Sequence, residues 1–122
     1  MRKLPVLVAL AALLVAVAVP VAGAARKPSR KPPTKKVLVL DDIFKPASMR
    51  IKRNTTLRWV WPSYNGDTHN VKLTGAPRGV RKFTSPSAAA DFVYSRKLTK
   101  DGRYRFICVY HANMILKVTV VR

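Results

Sequence analysis

Cys108-Val109-Tyr110-His111-Ala112-Asn113-Met114 places a thiol, an imidazole and a thioether three residues apart near the end of the chain. Cys108 is the only cysteine and His111 is one of two histidines; the other, His69, stands in Gly66-Asp67-Thr68-His69-Asn70-Val71. With two histidines and three methionines in 122 residues, this spacing after a Cys arises by chance about once in 2,500. It therefore calls for a chemical explanation. A thiolate and two imidazoles in a trigonal plane, with a long axial thioether, are the donors of a blue-copper electron-transfer site. The expected ligands of one copper ion per chain are thus His69, Cys108, His111 and Met114.

Other chemistries fit these residues less well. Zinc would want a fourth nitrogen, oxygen or sulfur donor and rarely takes a thioether, and there is no second Cys or third His. A thiol enzyme would need a nucleophile, a base and a third group orienting the base, which Cys108 and His111 three residues apart do not supply. No enzymatic activity is expected. Taken singly, Cys108 and Met114 would be ordinary core residues, and it is the combination that points to metal.

Such a site has to be clamped by elements remote in sequence. The chain from Val37 onward reads as short strands separated by turn signals, with no sustained helical period. Strands are expected at 37–40, 48–52, 55–61, 69–73, 90–94, 103–109 and 115–121. Leu57, Trp59 and Trp61 alternate onto one face of the third, and Leu116, Val118 and Val120 onto one face of the last. Turns fall at Pro62–Asp67, Gly75–Gly79 and Lys100–Gly102. Seven to eight strands at this spacing predict an all-β, Greek-key sandwich over 37–122. Cys108 would then end a strand, with His111 and Met114 curling back from a tight loop.

These segments resemble the cupredoxins, the plastocyanin and amicyanin type of small blue copper protein. The similarity runs through Phe44-x-Pro46 with Met49 and Ile51, Thr56-Leu57-x-Trp59, Asp67-x-His69-Asn70-Val71 and Gly102-x-Tyr104-x-Phe106-x-Cys108-x2-His111-x2-Met114. The two-residue gaps in the last segment are similar to the short amicyanin-type loop. The resemblance implies the same four ligands, a single-electron shuttle, and a contact from the Asn70 backbone amide to the Cys108 sulfur. Three positions depart from the family pattern. Lys52-Arg53-Asn54 replaces a Gly-containing turn, with Asn54 able to take φ > 0; Trp61 stands where Asn is common; Tyr110 stands where Pro is common.

The remaining composition concerns location and partners. Met1-Arg2-Lys3, an uncharged run from Leu4 to Ala25 and the small-residue end Ala22-Gly23-Ala24-Ala25 describe a secretory signal peptide over 1–25. An uncleaved anchor is the competing reading, since the run is long enough to span a bilayer. In either case the domain is expected to be extracytoplasmic, periplasmic or at the cell surface. Residues 26–36, with six basic residues and three prolines, read as an extended linker. The whole chain carries 24 Lys and Arg against five acids, all Asp. Losing Arg2 and Lys3 with the leader leaves a charge of +17. That field favours a redox protein partner with an acidic face and an anionic membrane or wall surface; export argues against nucleic acid. A monomer is expected. The alternatives kept open are an extracytoplasmic copper carrier or store, and a non-redox basic module binding wall or membrane.

Overall fold

The computed structural model describes residues 12–122; the first eleven residues of the expected signal peptide lie outside it. Residues 12–33 have no regular secondary structure and are exposed. Among the described residues no helix is long and apolar enough to cross a membrane.

Eight strands follow within the described residues: β1 (Thr34–Leu40), β2 (Ile43–Lys45), β3 (Ser48–Lys52), β4 (Thr55–Trp61), β5 (Lys72–Gly75), β6 (Phe92–Leu98), β7 (Gly102–Ile107) and β8 (Ile115–Val121). They form two four-stranded sheets, ordered β2-β1-β4-β6 and β3-β8-β7-β5. Two pairings, β1 with β4 and β3 with β8, are parallel, and the others are antiparallel. The expected all-β sandwich is therefore present, and it closes on the side chains that alternate inward.

Leu57, Trp59 and Trp61 of β4 are fully buried and face Phe106, Leu116 and Val118 of the opposite sheet. The Trp59 ring packs edge-on to Phe106 at a centroid distance of 5.1 Å, and Trp61 packs edge-on to Phe92 at 5.0 Å. Such aromatic contacts add to the burial of apolar area that drives the sheets together. Asn54 takes φ 68° in the β3–β4 turn, so the Gly-free turn forms as expected. Gly102 has no substitute of this kind. Its φ is 138°, and a Cβ there would lie 2.4 Å from Pro77 Cγ.

Register defines two ends. Trp61 pairs with Phe92 at one, and Thr55 pairs with Leu98 at the other. β1 enters at the Leu98 end, because Thr34 lies opposite Thr56, and delivers Asp41 to the Trp61 end about 20 Å away.

Candidate metal centre

Three of the sequence-predicted ligands, His69, Cys108 and His111, meet at the Trp61 end. β7 stops at Ile107, and the Cys108 N–H donates to the Met114 carbonyl at 3.1 Å, closing the loop that carries His111. Asn113, at φ 67°, turns the chain back into β8. His69 arrives from the other side of the loop. Its backbone exchanges hydrogen bonds with Ala88 at 2.9 and 3.0 Å, and its carbonyl accepts from the Trp61 indole at 3.3 Å. Trp61 thus anchors the His69 segment from the end of β4.

The three donor atoms form a small triangle. His69 Nδ1 lies 3.1 Å from His111 Nδ1 and 3.9 Å from Cys108 Sγ, which is 3.7 Å from His111 Nδ1. Ligands about 2.0–2.3 Å from one centre in a trigonal plane would stand about 3.5–3.8 Å apart. One side, at 3.7 Å, falls in that range and the other two, at 3.1 and 3.9 Å, lie within about 0.4 Å of it, so the triangle is close to the dimensions of a metal plane. His69 and Cys108 are buried, while the His111 side chain keeps 21% of its surface exposed. Met114 is buried and lines, with Cys108 and His111, a depression at this end of the sandwich.

Carboxylates lie behind both rings. His69 Nε2 is 2.8 Å from Asp41 Oδ1, and His111 Nε2 is 3.3 Å from Asp42 Oδ1 and 3.9 Å from Asp67 Oδ2. Asp41 is itself fixed by the N–H groups of Gly66 at 3.0 Å and Asp67 at 3.1 Å. The Gly66 amide, the His69 ring and the Asp67 amide hold its carboxyl at about 2, below the ordinary 3.8. An ionised carboxylate only accepts, so the His69 proton belongs on Nε2 and a lone pair remains on Nδ1. The Asp42 carboxylate lies beside His111 Nε2 without the short, direct bond that Asp41 makes. The His69 Nδ1 lone pair faces His111 Nδ1 at 3.1 Å and the Cys108 sulfur at 3.9 Å, an arrangement that one cation can share. The donor set therefore fits copper on its chemistry as well as its dimensions.

Asn70 is also at the site. The contact found is made by its side chain: Oδ1 accepts from the Val109 N–H at 3.0 Å, tying the residue after Cys108 to the residue after His69. Ser85, buried, takes the next amide, Val71 N–H, at 2.8 Å. Sequence reasoning did not single out Asp41, Asp42 or the role of Trp61. The available signal was Asp41-Asp42 itself, the one adjacent acidic pair in a chain with five acids.

A two-sheet β-sandwich with a His-Cys-His plane at one end defines the class of small copper proteins. The chain matches the family of copper-binding proteins of the plastocyanin/azurin type over residues 40–121, and it belongs to that family. Copper is its cofactor. Among solved structures, it is similar to pseudoazurin from Methylobacterium extorquens AM1, with 26% identity, a TM-score of 0.62, and coverage of 71% of this chain and 74% of that one. A reduced amicyanin variant shares the fold at 23% identity and a TM-score of 0.61, over 70% of this chain and 80% of that one. A copper-containing nitrite reductase from Thermus scotoductus SA-01 aligns at 25% identity and a TM-score of 0.60, over 85% of this chain and 25% of the reductase. No curated protein sequence matches at a significant level.

Proposed function

We propose that the protein is an extracytoplasmic blue copper protein that passes single electrons between redox partners, with copper held by His69, Cys108, His111 and axial Met114. The observation that carries this reading is the triangle of two imidazole nitrogens and one sulfur, with the His69 ring fixed from behind by the Asp41 carboxylate. When bound, copper supplies the one-electron couple. The chain supplies rigidity: Cys108 is tied to the Met114 carbonyl, His69 to Ala88 and Asp41, and Val109 to Asn70. Donors held this firmly keep their places when the charge at the centre changes, which keeps reorganisation small. A carrier or store would instead need ligands free to leave, and two of the three donors in the plane are buried.

His111 is the electron port, since it alone among the three reaches the surface. Its surroundings are acidic rather than neutral, with Asp42 and Asp67 at its outer nitrogen. The redox partner therefore presents an acidic face to the basic body of the domain and a cationic group opposite His111. The protein acts as a carrier rather than an enzyme; its match to the nitrite reductase covers a quarter of that much longer chain. Residues 1–25 direct export, and the basic linker 26–36 contacts an anionic surface.

The direct test is addition of Cu(II) to the purified protein. Intense blue absorption and a narrow copper hyperfine splitting are expected. A pale, tetragonal copper spectrum would reject the blue-copper reading.

A further inference from the structure

The end of the sandwich opposite the metal carries a second assembly of functional groups. The loop 77–83, the last residues of β6 and the β6–β7 turn enclose a cleft of about 290 Å³, whose lining includes Arg81, Phe83, Arg96, Lys97, Lys100 and Tyr104. Four of those six side chains are cationic, and none is acidic. Asp101, the one acid at this end, is 3.8 Å from Arg122.

Arg96 is held in place within the cleft. Its guanidinium lies 4.8 Å above the Phe83 ring centroid and 5.3 Å from that of Tyr94. Its Nε donates to the Tyr94 hydroxyl at 2.8 Å. Among the described residues no hydrogen bond or ion pair engages its two terminal nitrogens. A stacked, tethered guanidinium with its fork unused matches two oxygens of a phosphate, and its ordering cost is already met by the fold. Lys100 is also fixed, its ammonium donating to the Arg78 carbonyl.

The chain's acids are segregated along the same axis. Asp41, Asp42 and Asp67 surround the metal ligands, and Asp91 precedes Phe92, the partner of Trp61. Four of the five acids thus sit at the metal end. The basic linker leaves from the opposite end: Thr56 N–H donates to the Pro33 carbonyl at 2.9 Å, and Thr56 lies opposite Lys97 of the cleft. Arg53, whose neighbour Asn54 bonds the Leu98 carbonyl at 2.7 Å, adds to the same surface.

We infer that this end of the domain is a docking surface for anionic phospholipid, with Arg96 gripping one headgroup phosphate and Arg53, Arg81, Lys97 and Lys100 meeting its neighbours. Several fixed and flexible cations on one end match phosphates repeated across a plane better than one free anion. The basic linker leaves from that same end and brings it towards an anionic leaflet, where each basic residue strengthens binding roughly fivefold. Docked this way, His111 faces away from the membrane and stays open to soluble partners. The inference deepens the proposed contact of the linker with an anionic surface and rests on that reading for its choice of partner.

The test uses the full copper-loaded chain, with binding to phosphatidylglycerol–phosphatidylcholine vesicles measured relative to pure phosphatidylcholine vesicles. Arg96→Gln should lower this anionic preference roughly tenfold, and Arg96→Lys, which keeps charge but loses the fork, by about threefold. Lys72→Gln, the same charge loss near the metal end, should change it less than twofold. Inorganic phosphate should compete. An equal loss in Lys72→Gln and Arg96→Gln would overturn the site in favour of net charge. Tighter binding to a nucleic acid or a wall polymer than to the vesicles would overturn the choice of lipid. Replacing Arg26, Lys27, Arg30 and Lys31, the linker cations that precede β1, by Gln separates the two readings: loss there with none in Arg96→Gln leaves the linker contact standing and the cleft refuted. Unchanged blue absorption in each variant reports that the domain is folded.

Discussion

The two ends of this sandwich are built from the same strands but do opposite electrostatic work. At the metal end, Asp41 hydrogen-bonds the His69 ring, and Asp42 and Asp67 lie beside His111. At the far end, Arg81, Arg96, Lys97 and Lys100 gather without an acid among them. A formal charge of +19 describes neither. Long-range attraction is set by the total, while close contact within a Debye length of about 10 Å is set by whichever end is presented. A chain that is basic overall can thus offer an acidic rim at its electron port.

The sharpest way to break the comparison is to disable one end and watch the other. Cys108→Ala removes the thiolate from the metal plane and should abolish the blue band, because the charge-transfer transition needs the sulfur. Vesicle binding through the far end should persist. A variant that remained blue would place copper elsewhere in the chain.

Copper should also make the metal end the more stable one. The domain has no disulfide, and its one cysteine is free in the structure. A ligand that binds only the folded state at about a hundred times its dissociation constant adds about 2.7 kcal/mol. For a domain of this size, that corresponds to a rise in melting temperature of about 10–20 °C. Melts of apo and Cu(II) protein by circular dichroism measure it directly, and coincident midpoints would mean weakly held metal.

The parts of this organisation that could be read from sequence are those encoded by spacing or alternation. Leu57, Trp59 and Trp61, and Leu116, Val118 and Val120, repeat every second residue, so their burial follows from strand geometry alone. Cys108, His111 and Met114 lie within one loop, so their convergence follows from its length. What escaped depends on long-range packing. β2 is three residues long, with two of them exposed, and leaves no pattern. His69 was expected inside a strand, but β5 begins only at Lys72; the intervening groups turn to Val109, Ser85 and Ala88 instead of a regular ladder. β6 was expected to stop at Tyr94, where the sequence becomes polar. It continues to Leu98, paired with β4 as far as Thr55, and Arg96 keeps its guanidinium over two aromatic rings. Asp41 reaches His69 across 28 residues, a contact visible only once β1 is placed beside β4.

That contact gives the next test. Asp41→Ala leaves the three ligands in the metal plane intact but frees the His69 ring to rotate and to place its proton on Nδ1. Groups that orient a metal-bound histidine typically matter by about 10–100-fold in affinity, and a loss in that range is expected from competition with a copper chelator. Asp67→Ala, whose carboxylate is 3.9 Å from His111, should cost less. Equal effects would mean that general negative charge, rather than ring orientation, matters at this end.

The smallest effect, and the one that separates local from global charge, lies in the rates of electron transfer with small inorganic complexes. At low salt, the net charge of the chain should draw anionic oxidants and repel cationic ones. As ionic strength approaches 0.1 M and screening shortens to about 10 Å, only charges near the port still act. The nearest are Asp42 and Asp67, next to the exposed edge of His111. The ratio of anionic to cationic rates should therefore fall severalfold, by more than screening of the net charge alone would produce, and settle in favour of the cation. Asp42→Asn combined with Asp67→Asn should move that high-salt limit back towards the anion while hardly changing the low-salt slope, since two charges are a small part of the total. Stopped-flow oxidation of the reduced protein by a matched anionic and cationic pair measures both. A high-salt limit unmoved by the double substitution would place electron exit away from His111.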